Sequence, residues 1–462
     1  MPDDSSKSAC QNRYGLALSG GGFRATLFHL GVVRALAEAG RHDEVSEIAS
    51  VSGGSILAAH LVCNWERYVG QDASAFENAA KELIDFVQWD VRGRILRRLP
   101  WVLIVRAVLR VLSFIVPTKG IKGRLDRWRE RCSSVHLLGR YFDKKLFKDE
   151  IPLRKLPDTP NLAILATDVA TMKHGWFCGH GFLLPNEFSD HPRGRDLLSV
   201  GHSVAASCAF PALFPPVRLA ETMYGFGDGH DRLVTDAGVY DNLGLSAFAG
   251  APFKESTFNV FASDATATRS WSRTRRLNLL SNLLRSVDII QQAATDSQRR
   301  LAGLPLRDYR EGKPSVTHAS NSRFVLFDIA QEEIVDDPNI PTDIQRCLSY
   351  VRTDLDAFSC TEICNLVHHG YSVAWNRLRA EKLIAPGYES QFLKWCDLWP
   401  LERRYHGDPP SLIKKSVAAL DRARISKLRL FSLRDYVGIA NLLIFITALL
   451  TAVALLWFHL PK

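Results

Sequence analysis

The chain has 462 residues, with 46% hydrophobic and 23% charged side chains, a formal net charge of +9, and nine cysteines scattered through its length. These figures exclude a mostly disordered chain, a collagen-like chain and a polytopic membrane protein, and they allow one large domain with extras. An odd, dispersed cysteine set argues against a disulfide-stapled secreted scaffold, and the first residues lack the basic and apolar regions of a signal peptide.

In chain order, residues 1–13 read as a tail and residues 14–385 as one domain. Tyr14–Leu18 is a short apolar strand. Ser19-Gly20-Gly21-Gly22 follows it, and a helix begins near Arg24 and stops at Gly40, a good C-cap residue. Val45–Val51 is the next strand and leads into Ser52-Gly53-Gly54 and a further helix. Asn161–Thr167, Arg232–Thr235, Phe258–Ser263 and Arg323–Phe327 continue the series between helical stretches. Strand–helix alternation predicts an α/β fold, a three-layer α/β/α arrangement with a largely parallel central sheet, here with a C-terminal transmembrane helix appended.

Residues 91–131 hold twelve Lys/Arg against Asp126 and Glu130, a local +10, so the rest of the chain carries about one negative charge. The basicity is therefore a local device, and a nucleic-acid partner is not expected. Inside that block, Leu99–Pro117 is apolar apart from Arg106 and Arg110, which share a helical face. Two arginines at bilayer depth are costly, so an in-plane membrane-surface helix with a basic edge is expected rather than a span, the alternative being a core helix with two paired arginines. Residues 386–435 read as a proline-containing and then basic linker. Tyr436–Leu460 contains no Asp, Glu, Lys or Arg, which predicts a single-pass transmembrane helix over 436–460. The basic residues before it place the catalytic part on the cytoplasmic side.

Three constellations carry chemistry. Glycines Gly20, Gly21 and Gly22, at a strand-to-helix turn, let backbone N–H groups and a helix dipole face a phosphate or an oxyanion. Gly20-x-Gly22-x-x-Ala25 also meets a loose dinucleotide fingerprint, but the second strand ends in Ser52 where that reading needs an acid. Ser50-Val51-Ser52-Gly53-Gly54 lies close to the nucleophile-elbow pattern, whose strained turn holds a serine Oγ in the open. Asp236-Ala237-Gly238 ends a short strand and supplies the carboxylate that a serine nucleophile needs.

Taken together, Gly20-Gly21-Gly22-Phe23-Arg24-Ala25, Ser50-Val51-Ser52-Gly53-Gly54 and Asp236-Ala237-Gly238 resemble the ordered motifs of patatin-like phospholipases, related to the cytosolic phospholipase catalytic domain. Ala205–Pro211, Phe214-Pro215-Pro216 and Val239–Gly244 add to the likeness, and the 323–375 stretch, with Val351–Ser359 in it, is similar to the C-terminal part of bacterial members. Ala25, Ser50 and Ala237 stand where the family pattern has glycine, each a small-for-small exchange. The resemblance implies a membrane-anchored lipid acyl hydrolase with a Ser52–Asp236 dyad, an acyl-enzyme and an oxyanion hole at Gly20, Gly21 and Gly22. Arg24 would hold the loop or a lipid phosphate. Membrane lipid would be both substrate and surface, with no cofactor and no metal.

The rivals are a nucleotide-binding oxidoreductase using the glycine loop and an inactive membrane-binding scaffold. Within the hydrolase reading, His29, His60, His202 and His230 are available for a Ser–His–Asp triad. Cys360, Cys364 and His368, with His369, form a helical stripe of the kind that binds zinc, although a buried stripe of small hydrophobes explains it equally.

Overall fold

The computed structural model describes residues 13–69, 72–115, 119–185, 192–211, 214–250, 252–253, 259–266, 279–307, 323–332, 340–390, 410–424 and 435–459. The first half contains β1 (Tyr14–Leu18), α1 (Gly22–Glu38), β2 (Val45–Ser50), α2 (Gly53–Cys63), α3 (Trp65–Val69), α4 (Ala73–Val87), α5 (Val91–Ile115), α6 (Lys119–Arg131), α7 (Ser134–Tyr141), β3 (Asn161–Asp168), β4 (Lys173–Cys178), β5 (Gly181–Leu183), α8 (Pro192–Leu197) and α9 (Val200–Ser207). The remainder contains β6 (Val217–Leu219), α10 (Glu221–Tyr224), β7 (Arg232–Asp236), α11 (Ser246–Ala249), β8 (Asn259–Asp264), α12 (Leu279–Leu301), β9 (Phe324–Asp328), α13 (Thr342–Leu348), α14 (Cys360–Ala380), α15 (Pro410–Arg422) and α16 (Tyr436–His459).

The nine strands form one sheet. Its parallel centre runs β3-β2-β1-β8-β9, with β4 and β5 added antiparallel at the β3 side and β7 pairing with β3 and β6. β1 lies in the middle, with Leu18 opposite both Ser50 and Ser263. The strand period of two separates the faces. Leu16, Ile48 and Phe261 enter the larger core, whereas Ala17, Ala49, Val260 and Ala262 enter the smaller one. Small residues on that second face let Phe248 come so close that a Cβ on Gly15 would sit 2.3 Å from its ring.

On the larger face, α1 crosses α14 at backbone contact. A Cβ on Gly31 would meet the Val367 carbonyl at 2.0 Å, and one on Gly370 would meet the Phe28 carbonyl at 2.0 Å. α14 starts with a complete capping box, in which the Ser359 hydroxyl accepts from the Glu362 N–H and the Glu362 carboxylate accepts from the Ser359 N–H.

The C-terminal transmembrane anchor is not supported, and the single-pass localisation drawn from it falls too. Among the described residues, no helix is long and apolar enough to cross a membrane. Residues from Tyr436 do form a helix. The start of that helix is docked on protein. Asn441 donates to the Arg97 carbonyl (2.8 Å) and accepts from the Trp101 indole (3.0 Å), and Asp435 is buried under Arg97 and Arg98. Of the expected linker, 391–409 and 425–434 lie outside the described residues, and Pro410–Arg422 is helical.

The α1–α14 crossing gives the first test. Gly31→Ala should destabilise the protein by about 1–3 kcal/mol, read as a lowered urea midpoint with an unchanged slope.

Candidate active site

The glycine turn follows the central strand and is pinned from several sides. The Ser19 N–H donates to the Ser263 carbonyl (3.1 Å), the Gly20 N–H to the Asn242 carbonyl (2.9 Å), and the Phe23 N–H to the Asp354 carbonyl (3.0 Å). Gly21 has φ +144° and Gly22 φ +56°, values that L side chains rarely adopt. Space is equally short. A Cβ on Gly22 would lie 2.7 Å from the Asp354 nitrogen, and one on Gly20 would lie 2.4 Å from Asn242 Oδ1. The Gly20 amide is thus engaged, and the turn presents Gly21 and Gly22 at the start of α1, whose N-cap has no side-chain acceptor.

Arg24 is fully buried. It donates to the carbonyls of Val351 (2.8 Å), Ser349 (3.4 Å) and Ala265 (2.5 Å). Of the two roles expected for it, this geometry is that of a brace for the glycine turn, not of a group facing a lipid phosphate.

Ser52 is the residue between β2 and α2, with φ +48° and ψ −117°. A β-carbon at such angles is strained by ~1–3 kcal/mol. The neighbours that allow it are glycines. A Cβ on Gly53 would stand 2.5 Å from the Gly22 nitrogen, and one on Gly54 would stand 2.5 Å from the Leu18 carbonyl. The Ser52 N–H donates to Ser207 Oγ (2.9 Å), which shares a hydrogen bond with Ser55 Oγ (3.1 Å), and Thr26 Oγ1 donates to the Gly53 carbonyl (2.7 Å). Ser52, Gly21 and Gly22 are half-buried among buried neighbours, so the elbow and the glycine turn open to solvent together.

Asp236 ends β7, with Ala166 of β3 opposite it. It is 3% exposed. Burial pushes its carboxyl up to about 6, while hydrogen bonds from the Gly238 N–H (2.7 Å) and the Ser52 side chain act in the opposite direction. The structure therefore places the Ser52 side chain close enough to act on the Asp236 carboxyl. Gly20 packs on the Ser52 side, where a Cβ on it would lie 3.4 Å from the Ser52 Cβ. The buried Cys208 thiol lies against both residues and is raised well above its ordinary range by burial.

The four histidines of the rival triad are placed elsewhere. His29 Nε2 donates to the Ser19 carbonyl (3.0 Å) and its Nδ1 meets Ser263 Oγ (2.7 Å), and burial lowers it to about 4. His60 pairs with Tyr68 (2.9 Å), His202 with His136 (2.9 Å), and His230 is exposed in the turn before β7. In the Cys/His stripe, His369 meets the Ile329 carbonyl (2.8 Å), and burial lowers both His368 and His369 to about 4. Among the described residues the one group spaced to hold a metal ion is instead Asp143, Glu150 and His202.

Sequence reasoning missed the supports. Ser207, Asn242 and Asp354 all lay in stretches that showed only a likeness. Asn242 spans the site, with its carbonyl on Gly20, its amide on Thr266 (2.9 Å) and its Oδ1 facing Gly238. Asp241 holds this loop by accepting from the N–H groups of Leu243 (2.9 Å), Gly244 (2.7 Å) and Ser246 (2.8 Å).

A central parallel sheet with a strained serine turn, a glycine turn and a buried aspartate at its strand ends is the architecture of a serine acyl hydrolase. The family comparison narrows that class. The model of the patatin-like phospholipases matches residues 16–249, and the chain belongs to that family of lipid acyl hydrolases. The dinucleotide reading falls with it. Solved structures similar to this chain include VipD from Legionella pneumophila, at 15% identity and a TM-score of 0.33, covering 80% of this chain and 67% of that one. Human GIVD cytosolic phospholipase A2 is similar at 12% identity and a TM-score of 0.46, covering 83% of this chain and 63% of the human one. The same human protein in complex with methyl gamma-linolenyl fluorophosphonate matches at 13% identity and a TM-score of 0.45, with 80% and 58% covered. Comparison with the curated proteins gives no match.

Ser207 provides the test of this geometry. Ser207→Ala strands the Ser52 N–H and should cost about 1–3 kcal/mol. It should also lower ester turnover more than it raises KM, measured in the same preparation.

Proposed function

We propose that this lipid acyl hydrolase cleaves carboxylic esters through an acyl-enzyme formed on Ser52, with Asp236 as its base. The observation that carries the reading is the strained, half-buried Ser52 turn with the buried Asp236 carboxyl beside it. Ser52 Oγ attacks the ester carbonyl carbon and its proton passes to the Asp236 carboxylate. The tetrahedral oxyanion is held by the Gly21 and Gly22 amides and the α1 dipole, an effect worth a few kcal/mol (roughly 3) per donor. The C–O bond then breaks, and Asp236 returns the proton to the leaving alcohol. Water, deprotonated by the same carboxylate, attacks the acyl carbon and releases the fatty acid, restoring Ser52. Burial supports this assignment, because a carboxyl lifted to about 6 is a stronger base than an ordinary aspartate and is still ionised at neutral pH. Arg24 and Asn242 act as positioning residues, fixing the glycine turn and the Asp236 turn relative to each other.

Ser52→Ala and Asp236→Asn should each lower kcat/KM for a lipid ester by at least ~10³-fold while the melting temperature holds within a few degrees. A fluorophosphonate probe should label the parent and fail on Ser52→Ala. Full labelling of Ser52→Ala would remove the assignment.

The pH dependence follows from the same group. Only the ionised Asp236 is a base, so log kcat/KM should rise with pH up to about 6 and then level. A flat profile between pH 5 and 8 (about that window) would mean a different base.

A further inference from the structure

α5 has two unlike halves. From Val91 to Leu99 it is bound to the domain: Val91, Gly93, Ile95 and Arg97 are buried, Arg92 pairs with Asp354 (2.5 Å), and Arg97 and Arg98 hold Asp435 (2.8 and 2.9 Å). Pro100 follows, breaking the helical hydrogen-bond ladder. Beyond it the helix stands away from the core. Leu109 and Ser113 are its buried residues there, on the stripe shared with half-buried Val102 and Arg106, and Arg106 reaches the Cys132 carbonyl after α6 (3.4 Å). The other sides carry exposed Leu103, Ile104, Val108, Val111, Phe114 (78%) and Ile115 (70%). α6 returns alongside with exposed Ile121 and Trp128, and the described start of α16 adds exposed Leu443 to Ile446 beside Trp101.

We propose that the α5–α6 hairpin is a docking surface for an anionic phospholipid bilayer. A helix apolar on most of its sides is out of place in water, and an apolar patch this extended marks an interaction site. Charge selects the occupant. α6 carries six basic residues, Lys119, Lys122, Arg124, Arg127, Arg129 and Arg131, against Asp126 and Glu130, and Glu130 is already paired with Arg218 (2.5 Å). A second copy would bring this positive segment against itself, whereas anionic head groups neutralise it. The hairpin dips into the interface without crossing it, its apolar sides in the acyl region and Arg110 reaching to the head groups. This departs from the in-plane, one-faced helix expected from sequence. Docking also has a direct route to the site. The Arg92 N–H donates to the Leu355 carbonyl (2.9 Å), and the adjacent Asp354 backbone packs on Gly22. The base of α5 is thus bonded to the loop that covers the glycine turn, and the biological sense of docking rests on the lipid-hydrolase reading.

The test is flotation of the full chain with vesicles of phosphatidylcholine alone or with about one-third phosphatidylglycerol, at low and at about 1 M salt. The parent should bind the anionic vesicles, and less so at high salt. Leu103→Glu/Phe114→Glu/Ile115→Glu should weaken binding at least about tenfold. Arg110→Glu/Arg124→Glu should weaken binding to anionic vesicles alone. Both should keep the parent's circular dichroism and its turnover of a dispersed short-chain ester. Parent-like flotation of the apolar triple variant overturns the proposal. So does a parent dimer that this variant dissociates with flotation unchanged, which would make the face a contact between copies. Flotation reads binding whether or not the chain hydrolyses ester, so a failed esterase assay leaves this outcome separate.

Discussion

Everything at the strand ends depends on two backbone turns touching. Gly53, after the serine, lies so close to Gly22, after the central strand, that a methyl group on it would strike the Gly22 backbone, and the Asp354 backbone leaves no room for one on Gly22 itself. The contact sets the separation between the Ser52 side chain and the amides of the glycine turn without any adjustable side chain between them. The strain at Ser52 is the cost of this arrangement, and it is borne by neighbours that leave no alternative: the Val51 N–H is tied to the Leu18 carbonyl (3.0 Å) and the Ser52 N–H to Ser207.

Around that contact the buried charges divide by environment. Asp264 and Asp328, at the ends of β8 and β9, share Arg299 and Arg307. Burial alone would raise both carboxyls, but the two guanidinium groups hold them below the ordinary range. Asp435 is kept low in the same way by Arg98 and Arg97 against the pull of burial. Asp236 is buried just as deeply but receives hydrogen bonds from Gly238 and Ser52, and it moves the other way. Carboxylates paired with guanidinium hold the frame, whereas Asp236 is held by neutral donors and its carboxyl is raised by burial.

Much of this was legible in sequence because it is written in local pattern. β1, the glycine turn, β2 and the Ser52 elbow are continuous strand–turn–helix signals, and Tyr14–Leu18 falls where it was expected. Asp236 was legible because a strand delivers it. The β4–β5 hairpin was not, since Trp176, Phe177 and Cys178 are all buried and show no alternation. Asp354, Ala265 and Ser349 contribute backbone atoms from far along the chain, and a backbone contact leaves no residue preference to read. Arg24 stood in a motif that allowed two roles, and only its three carbonyl partners distinguish them. The uncharged run from Tyr436 reads as lipid-facing by composition alone. Composition does not register that Asn441 is bonded to α5 or that the preceding Asp435 is buried among arginines.

The recognisable family segment stops at residue 249, yet the structure has no seam there. The strand beside β1 on one side is β8, the helix crossing α1 is α14, and the three carbonyls around Arg24 all come after that point. A chain cut at the end of the segment would expose the middle of its own sheet as an edge and strip three carbonyl acceptors from a buried arginine. What sequence comparison identifies is therefore shorter than what folds. What the later half supplies around the glycine turn is mostly main chain, which makes little demand on residue type.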